Sequence, residues 1–237
     1  MTDTFPSEEN DVSLVIPADG AKLQGELNIP AGARGLVLFA HGSGSSRHSP
    51  RNRYVASALR EGGLATLLMD LLTPEEEDID MQTRQLRFDI GLLAERLVAA
   101  TDWLRAQPET GGLKLGYFGA STGAGAALVA AAQRPGEIGA VVSRGGRPDL
   151  AESALPAVRA PTLLIVGGDD LAVIEMNREA LDALRVEKRL EIVPGATHLF
   201  EEPGTLEQVA RLARAWFARH LGQNAPQEKR KGTRAGG

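Results

Sequence analysis

Short, uninterrupted apolar runs recur along this chain: GLVLFAHG (35–42), LATLLMDLL (64–72), LKLGYFGA (113–120), IGAVVSRGG (138–146), PTLLIVGG (161–168) and RLEIVPGA (189–196). A strand that faces solvent on one side alternates apolar and polar residues. Most of these runs do not, as expected of strands covered on both faces. Helical segments lie between them. In FDIGLLAERLVAATDWLRAQ, Ile90, Leu93, Leu97, Ala100 and Leu104 fall on one stripe. In SPRNRYVASALREGG, Ser49 can cap a helix, Pro50 suits its first turn and Gly62-Gly63 end it. Further helices are expected over TGAGAALVAAAQRPG, DLAESALPAV, IEMNREALDALR and TLEQVARLARAWFARHL, the last with Thr205 and Gln208 spaced for a capping box. Before the alternation begins, SLVIPADGAKLQGELNIP reads as a hairpin turning at Asp19-Gly20. Strand alternating with helix dictates an α/β fold: a mostly parallel central sheet with helices on both faces.

The predicted domain runs over 12–222, with flexible segments at 1–11 and 223–237. The length of 237 residues suits one large α/β domain, and a 43% hydrophobic content supplies its core. A net charge of -5 argues against nucleic acid as a partner, because phosphate binding needs a basic face. No apolar run approaches the roughly 18 residues of a membrane span, and MTDTFPSEEN has no apolar stretch to act as a signal. A soluble cytoplasmic protein is expected. Cysteine is absent, which excludes a thiol nucleophile, disulfides and thiolate metal sites. One connection, TPEEEDIDMQTRQLR, is unusually long; it reads either as a solvated excursion or as one wall of a site at the strand ends.

Chemistry concentrates where one apolar run meets a small-residue helix. Gly119-Ala120-Ser121-Thr122-Gly123 matches G-x-S-x-G, with strand before it and helix after it. A sharp turn there holds the Ser121 hydroxyl above the sheet, and the Thr122 N–H opens a helix, where it can stabilise an oxyanion. A serine hydroxyl needs a base. Of four histidines, only His198 follows both the serine and a later acid at a strand end, where Asp169 and Asp170 stand side by side. His220 is expected at the surface of the last helix. AHGSGSS lets backbone approach closely and offers the Ser43 N–H as the second oxyanion donor; His41 is expected to brace that loop. Arg47 and Arg51 follow the same loop, and Arg144 and Arg147 follow IGAVVS. Ligands of open α/β sheets bind outside the carboxyl ends of the strands, so these arginines, Arg47, Arg51 and Arg144 above all, are candidates for holding an anionic group of the substrate.

The motifs HGSGSS, GASTG, GGDD and ATHLF, in that order over about residues 12–221, resemble the α/β-hydrolase superfamily, in its dienelactone-hydrolase-like branch without a separate cap domain. The resemblance implies a triad of Ser121, Asp170 and His198; the pattern G-G-x-D-x-x-V, ending at Val173, places the acid at Asp170. Dienelactone hydrolases use cysteine where Ser121 stands. The departure points to an ordinary small ester as substrate, cleaved through an acyl-enzyme without metal or organic cofactor. Lactones, thioesters and amides are open to the same triad. The competing class is a binding module that keeps the fold without catalysis.

Overall fold

The computed structural model describes residues 11–222; the readings of the two ends as flexible lie, apart from Asp11, outside the described residues. The expected hairpin pairs β1 (Val12–Ala18) with β2 (Ala21–Asn28), and the turn uses positive φ at Asp19 and Gly20. Then follow β3 (Leu36–Ala40), α1 (Pro50–Glu61), β4 (Ala65–Met69), α2 (Pro74–Thr83), α3 (Ile90–Ala106), β5 (Leu115–Ala120), α4 (Thr122–Gln133), β6 (Ile138–Arg144), β7 (Thr162–Gly167), α5 (Leu171–Ala183), β8 (Lys188–Val193) and α6 (Thr205–Leu221). Short 3-10 stretches stand at Leu86–Phe88 and Pro148–Ala157.

The strands form one eight-stranded sheet in the order β1-β2-β4-β3-β5-β6-β7-β8. The first two pairings in that order are antiparallel, and the rest are parallel. Strands β3 to β7 are buried at every position but Gly139, which accounts for their uninterrupted apolar runs. On one face α3 and α4 cover Leu38, Leu67, Tyr117 and Val141; on the other α1 and α6 cover Val37, Phe39, Phe118 and Val142. From β3 the chain steps outward to β4 on one side and to β5 on the other. That reversal leaves a crevice between the carboxyl ends of β3 and β5. The loop carrying Ser43 and the turn carrying Ser121 emerge there, side by side. Among the described residues no helix is long and apolar enough to cross a membrane.

Two local expectations are corrected. The long connection after β4 is not a loop but contains α2. The Thr73 hydroxyl accepts from the Glu76 N–H at 3.2 Å, and the Glu76 carboxylate accepts from the Thr73 N–H at 2.8 Å, a closed capping box with Pro74 in the first turn. The box expected at Thr205 and Gln208 does not form. Gly204 takes the cap position of α6, and the Thr205 hydroxyl turns back to the Glu202 carbonyl at 2.7 Å.

Because α2 has almost no buried apolar face, its cap should matter more than usual. Thr73→Ala removes an acceptor typically worth about 1 kcal/mol. In a chain of this size that shift corresponds to a fall in Tm of about 2–4 °C, measurable by calorimetry.

Candidate active site

The Ser121 turn is built around two close approaches. A Cβ at Gly119 would run into the Ala124 backbone, and one at Gly123 into the carbonyls of Ala40 and His41. Only glycine lets β5, α4 and the end of β3 meet there. Ser121 itself sits at φ 50°, ψ -122°, a strained conformation for a residue with a side chain. Three backbone bonds hold it: its N–H donates to the Arg144 carbonyl at 3.2 Å, and its carbonyl accepts from Ala124 N–H at 3.1 Å and Arg147 N–H at 3.0 Å. Thr122 follows as the first residue of α4, where a backbone N–H has no partner within the helix.

Asp170 caps α5 at the end of β7, and His198 lies in the turn beyond β8. The structure brings them together: His198 Nδ1 is 2.7 Å from Asp170 Oδ2. With the Nδ1–H donating to that carboxylate, Nε2 is left as an acceptor. Asp169, the other sequence candidate, has an exposed side chain, and its N–H donates to the Ala196 carbonyl at 3.0 Å. A residue that the sequence reading missed holds the histidine turn. Glu202 accepts from the Thr197 hydroxyl at 2.6 Å and from the Thr197 N–H at 3.1 Å, and those two bonds keep its carboxyl below its ordinary pKa. No spacing rule marks this glutamate in the sequence. The end of β6 links serine and histidine. Arg144 bonds the Ser121 backbone, and the next residue, Gly145, lies against His198: a Cβ there would be 3.0 Å from the His198 carbonyl and 3.6 Å from its Cε1.

The loop after β3 completes the cluster. It passes so close to the Ser121 turn that a Cβ on Gly42 would be 3.1 Å from the Ser121 Cβ. The Ser43 N–H donates to Thr122 Oγ1 at 3.0 Å, and the two side-chain hydroxyls are 2.9 Å apart. The Ser43 hydroxyl also reaches the Arg87 carbonyl at 3.5 Å, so the segment after α2 borders this loop. Asp80 and Arg87, joined as an ion pair, line a small cleft with His41, Ser43, Leu93 and Thr122. His41 accepts from the Leu71 N–H at Nε2 (3.1 Å), which places its proton on Nδ1, 3.0 Å from the Gly42 carbonyl. Burial pushes its pKa down, outweighing the Gly42 bond and the charges of Asp70 and Glu77. His220, expected at the surface, instead stacks on Trp216 with ring centroids 4.6 Å apart and a side chain 11% exposed.

The arginines divide. Arg47 is bound on two sides: its backbone N–H and guanidinium both reach Asp70, and its Nε lies 3.6 Å from Glu26. Its charge is therefore committed to two carboxylates. Arg51 pairs with Glu201 at 3.1 Å, and Arg147 with Asp149 at 2.7 Å. Arg144 is different. It is 7% exposed, makes no ion pair among the described residues, and has only a long 3.4 Å bond to Asn52 Oδ1. Its Nε and Nη1 have no partner. Burial, and then the like charge of Arg51, push its pKa down to about 10, so it stays cationic at neutral pH.

The dienelactone hydrolase family model matches residues 25–220. The chain belongs to the dienelactone hydrolase family. It is 66% identical to a crystallographic dienelactone hydrolase from Anabaena variabilis, with a TM-score of 0.88 over 90% of this chain and 98% of that one. Its fold is also shared, at low identity, by a Xanthomonas campestris α/β serine hydrolase without a lid (23% identity, TM-score 0.72, 93% of this chain and 99% of that one). The same holds for the ferulic-acid-bound Est1E of Butyrivibrio proteoclasticus (18%, 0.76, 89% and 100%). A Mycobacterium tuberculosis protein whose name proposes a phosphoribosyl transferase is 59% identical over 216 residues, which are 91% of this chain and 47% of that protein. The chain thus spans about half the length of that curated relative.

The neutral His41 couples stability to pH. Unfolded, an imidazole takes up a proton below about pH 6.5; folded, His41 resists until a lower pH. The unfolded state then binds more protons, so stability is full above about pH 6.5 and declines as pH falls towards the folded pKa. The Tm of the wild type should fall between pH 7.5 and 5.5. His41→Asn, although less stable throughout, should show a shallower decline in the same melts.

Proposed function

We propose that this member of the family is a serine hydrolase that cleaves a small ester through an acyl-enzyme. The observation that carries the reading is the 2.7 Å Asp170–His198 pair, linked through the end of β6 to a serine in strained backbone. Membership of a hydrolase family and the hydrolase fold support hydrolysis as the reaction. The name of the M. tuberculosis relative describes a protein of about twice this length and carries no reading of the present chain.

In the proposed mechanism His198 Nε2 takes the proton from Ser121 Oγ as that oxygen bonds to the ester carbonyl carbon. The carbonyl π-electrons move onto oxygen, and the N–H groups of Ser43 and Thr122 stabilise the resulting oxyanion. Asp170 holds the imidazole tautomer and stabilises the imidazolium. Collapse expels the alkoxide, which takes the proton from His198 and leaves as the alcohol. Water then repeats the sequence on the acyl-Ser121 and releases the acid. Ser121→Ala should remain folded and lose nitrophenyl-ester turnover by about 10⁴ or more, and Asp170→Asn should lose about 10⁴. Asp169→Asn should cost far less. Wild-type rates in purified, folded Ser121→Ala would sink the serine assignment.

A finer reading concerns substrate charge. Arg144, a buried cation without a carboxylate partner among the described residues, stands at the end of β6 next to the Ser121 turn. An interior charge without a counter-charge is costly, and an anionic group on the substrate would supply one. An ester carrying a free carboxylate should therefore exceed its methylated analogue in kcat/KM. Arg144→Gln should remove the preference and spare the neutral ester. Equal use of both esters by the wild type would dismiss the anionic substrate while leaving the triad intact.

A further inference from the structure

The side chain of Thr122 has no part in the mechanism above, yet it is 3% exposed and points at the loop that carries the other oxyanion donor. We infer that the Thr122 hydroxyl is a positioning group that sets the distance between the two oxyanion amides, an inference that rests on the serine-hydrolase reading. One amide belongs to Thr122 itself. The other, the Ser43 N–H, donates to Thr122 Oγ1 at 3.0 Å. A single oxygen is thus covalently attached to one donor residue and hydrogen-bonded to the other.

The loop needs such a tether. Ser43 lies in a run of small residues, Gly42-Ser43-Gly44-Ser45-Ser46, whose backbone has little steric restriction of its own. Below it, His41 is fixed to Leu71; above it, Arg47 is fixed to Asp70. Between these anchors the Ser43 side chain contacts Thr122 Oγ1 at 2.9 Å and the Arg87 carbonyl at 3.5 Å. Thr122, by contrast, sits on the rigid first turn of α4. Its hydroxyl transfers that rigidity to the loop.

The tether also fits a working cycle. Without substrate, the Ser43 N–H is satisfied by Thr122 Oγ1. When an oxyanion forms, the charged acceptor makes the stronger bond, and the amide hydrogen is drawn to it. The 2.9 Å contact between the hydroxyls does not use that hydrogen, so the loop stays in place while the amide changes partner. The G-x-S-x-G pattern leaves this position open, and here threonine gives it a second task besides opening the helix.

The test compares wild type, Thr122→Val, Thr122→Ser, Ser43→Ala and Ser121→Ala, with a nitrophenyl ester as substrate and an alkyl boronic acid as a mimic of the tetrahedral adduct. Thr122→Val keeps the shape and removes the hydroxyl. It should lower kcat about tenfold, the scale of one hydrogen bond, with KM within about twofold, and weaken boronate inhibition by the same factor. Thr122→Ser should restore both. Ser43→Ala, which keeps its N–H, should show a smaller loss of the same kind. A folded Thr122→Val with wild-type kcat and boronate affinity would overturn the inference. So would one with raised kcat, which would make the hydroxyl a competitor for the amide. If Ser121→Ala keeps its activity and boronate fails to inhibit the wild type, the serine-hydrolase reading itself fails, a result separate from either.

Discussion

Two glycines flanking Ser121 allow β5, α4 and the end of β3 to meet at distances that no side chain would permit. The conformation of Ser121, with φ at 50°, follows from that contact. Strain of this kind costs on the order of 1–3 kcal/mol, and it is held by the bonds from Ser121 to Arg144, Ala124 and Arg147 and by the burial of α4 against the sheet. The other loops are placed relative to this turn. Gly42 brings the loop after β3 against Ser121, and Gly145 brings the end of β6 under His198. The sheet order makes this economical. Chain reversal between β3 and β5 opens the crevice at the point where these loops emerge.

Around that crevice, charge is used mainly to orient backbone. Arg47 on Asp70 and Glu26, Arg53 on Glu26, Arg87 on Asp80 and Arg96 on Glu76 each tie one segment of the chain to another. Partly buried pairs of this kind add little net stability, because desolvation offsets much of the attraction. What they fix is geometry: where the loop after β3 leaves the sheet, and how α2 and the segment behind it lie beside it. Arg144 is the exception: it is buried and, among the described residues, has no carboxylate partner.

The parts of the fold that were legible in the sequence are those set by local chemistry. Strands covered on both faces must be apolar throughout, so β3 to β7 announced themselves, and the Asp19-Gly20 turn and the Ser49-Pro50 helix start could be read from residue type alone. The helix α2 was missed because its apolar residues, Ile79 and Met81, are exposed and draw no stripe. Its Thr73-Pro74-Glu75-Glu76 cap was present in the sequence and was the better guide. Conversely, Thr205 and Gln208 had the spacing of a cap, but the glycine before them took the position. For the site, residue order sufficed to nominate Ser121, His198 and a pair of aspartates, because each stands at the end of a strand. Partner choice was not readable. Arg47 meets Asp70 only because β4 lies beside β3, and Ser43 meets Thr122 only because β5 lies on its other side. Such contacts depend on register across the sheet, which residue spacing along one strand does not encode.

The histidine turn shows how the separately anchored parts become one site. Glu202 holds Thr197, the Asp169 N–H holds Ala196, and Phe200 adopts a positive φ of 55° immediately beyond His198 and Leu199. That conformation turns the Phe200 ring inward, where it is 1% exposed and lies under the Arg144 guanidinium, 6.0 Å from centroid to carbon. An aromatic face offsets part of the cost of a buried cation, so the ring that stabilises Arg144 belongs to the turn that presents His198. Under the proposed reading, an anionic substrate group drawn to Arg144 acts on a side chain packed against that ring. Charge recognition and proton transfer then share a wall.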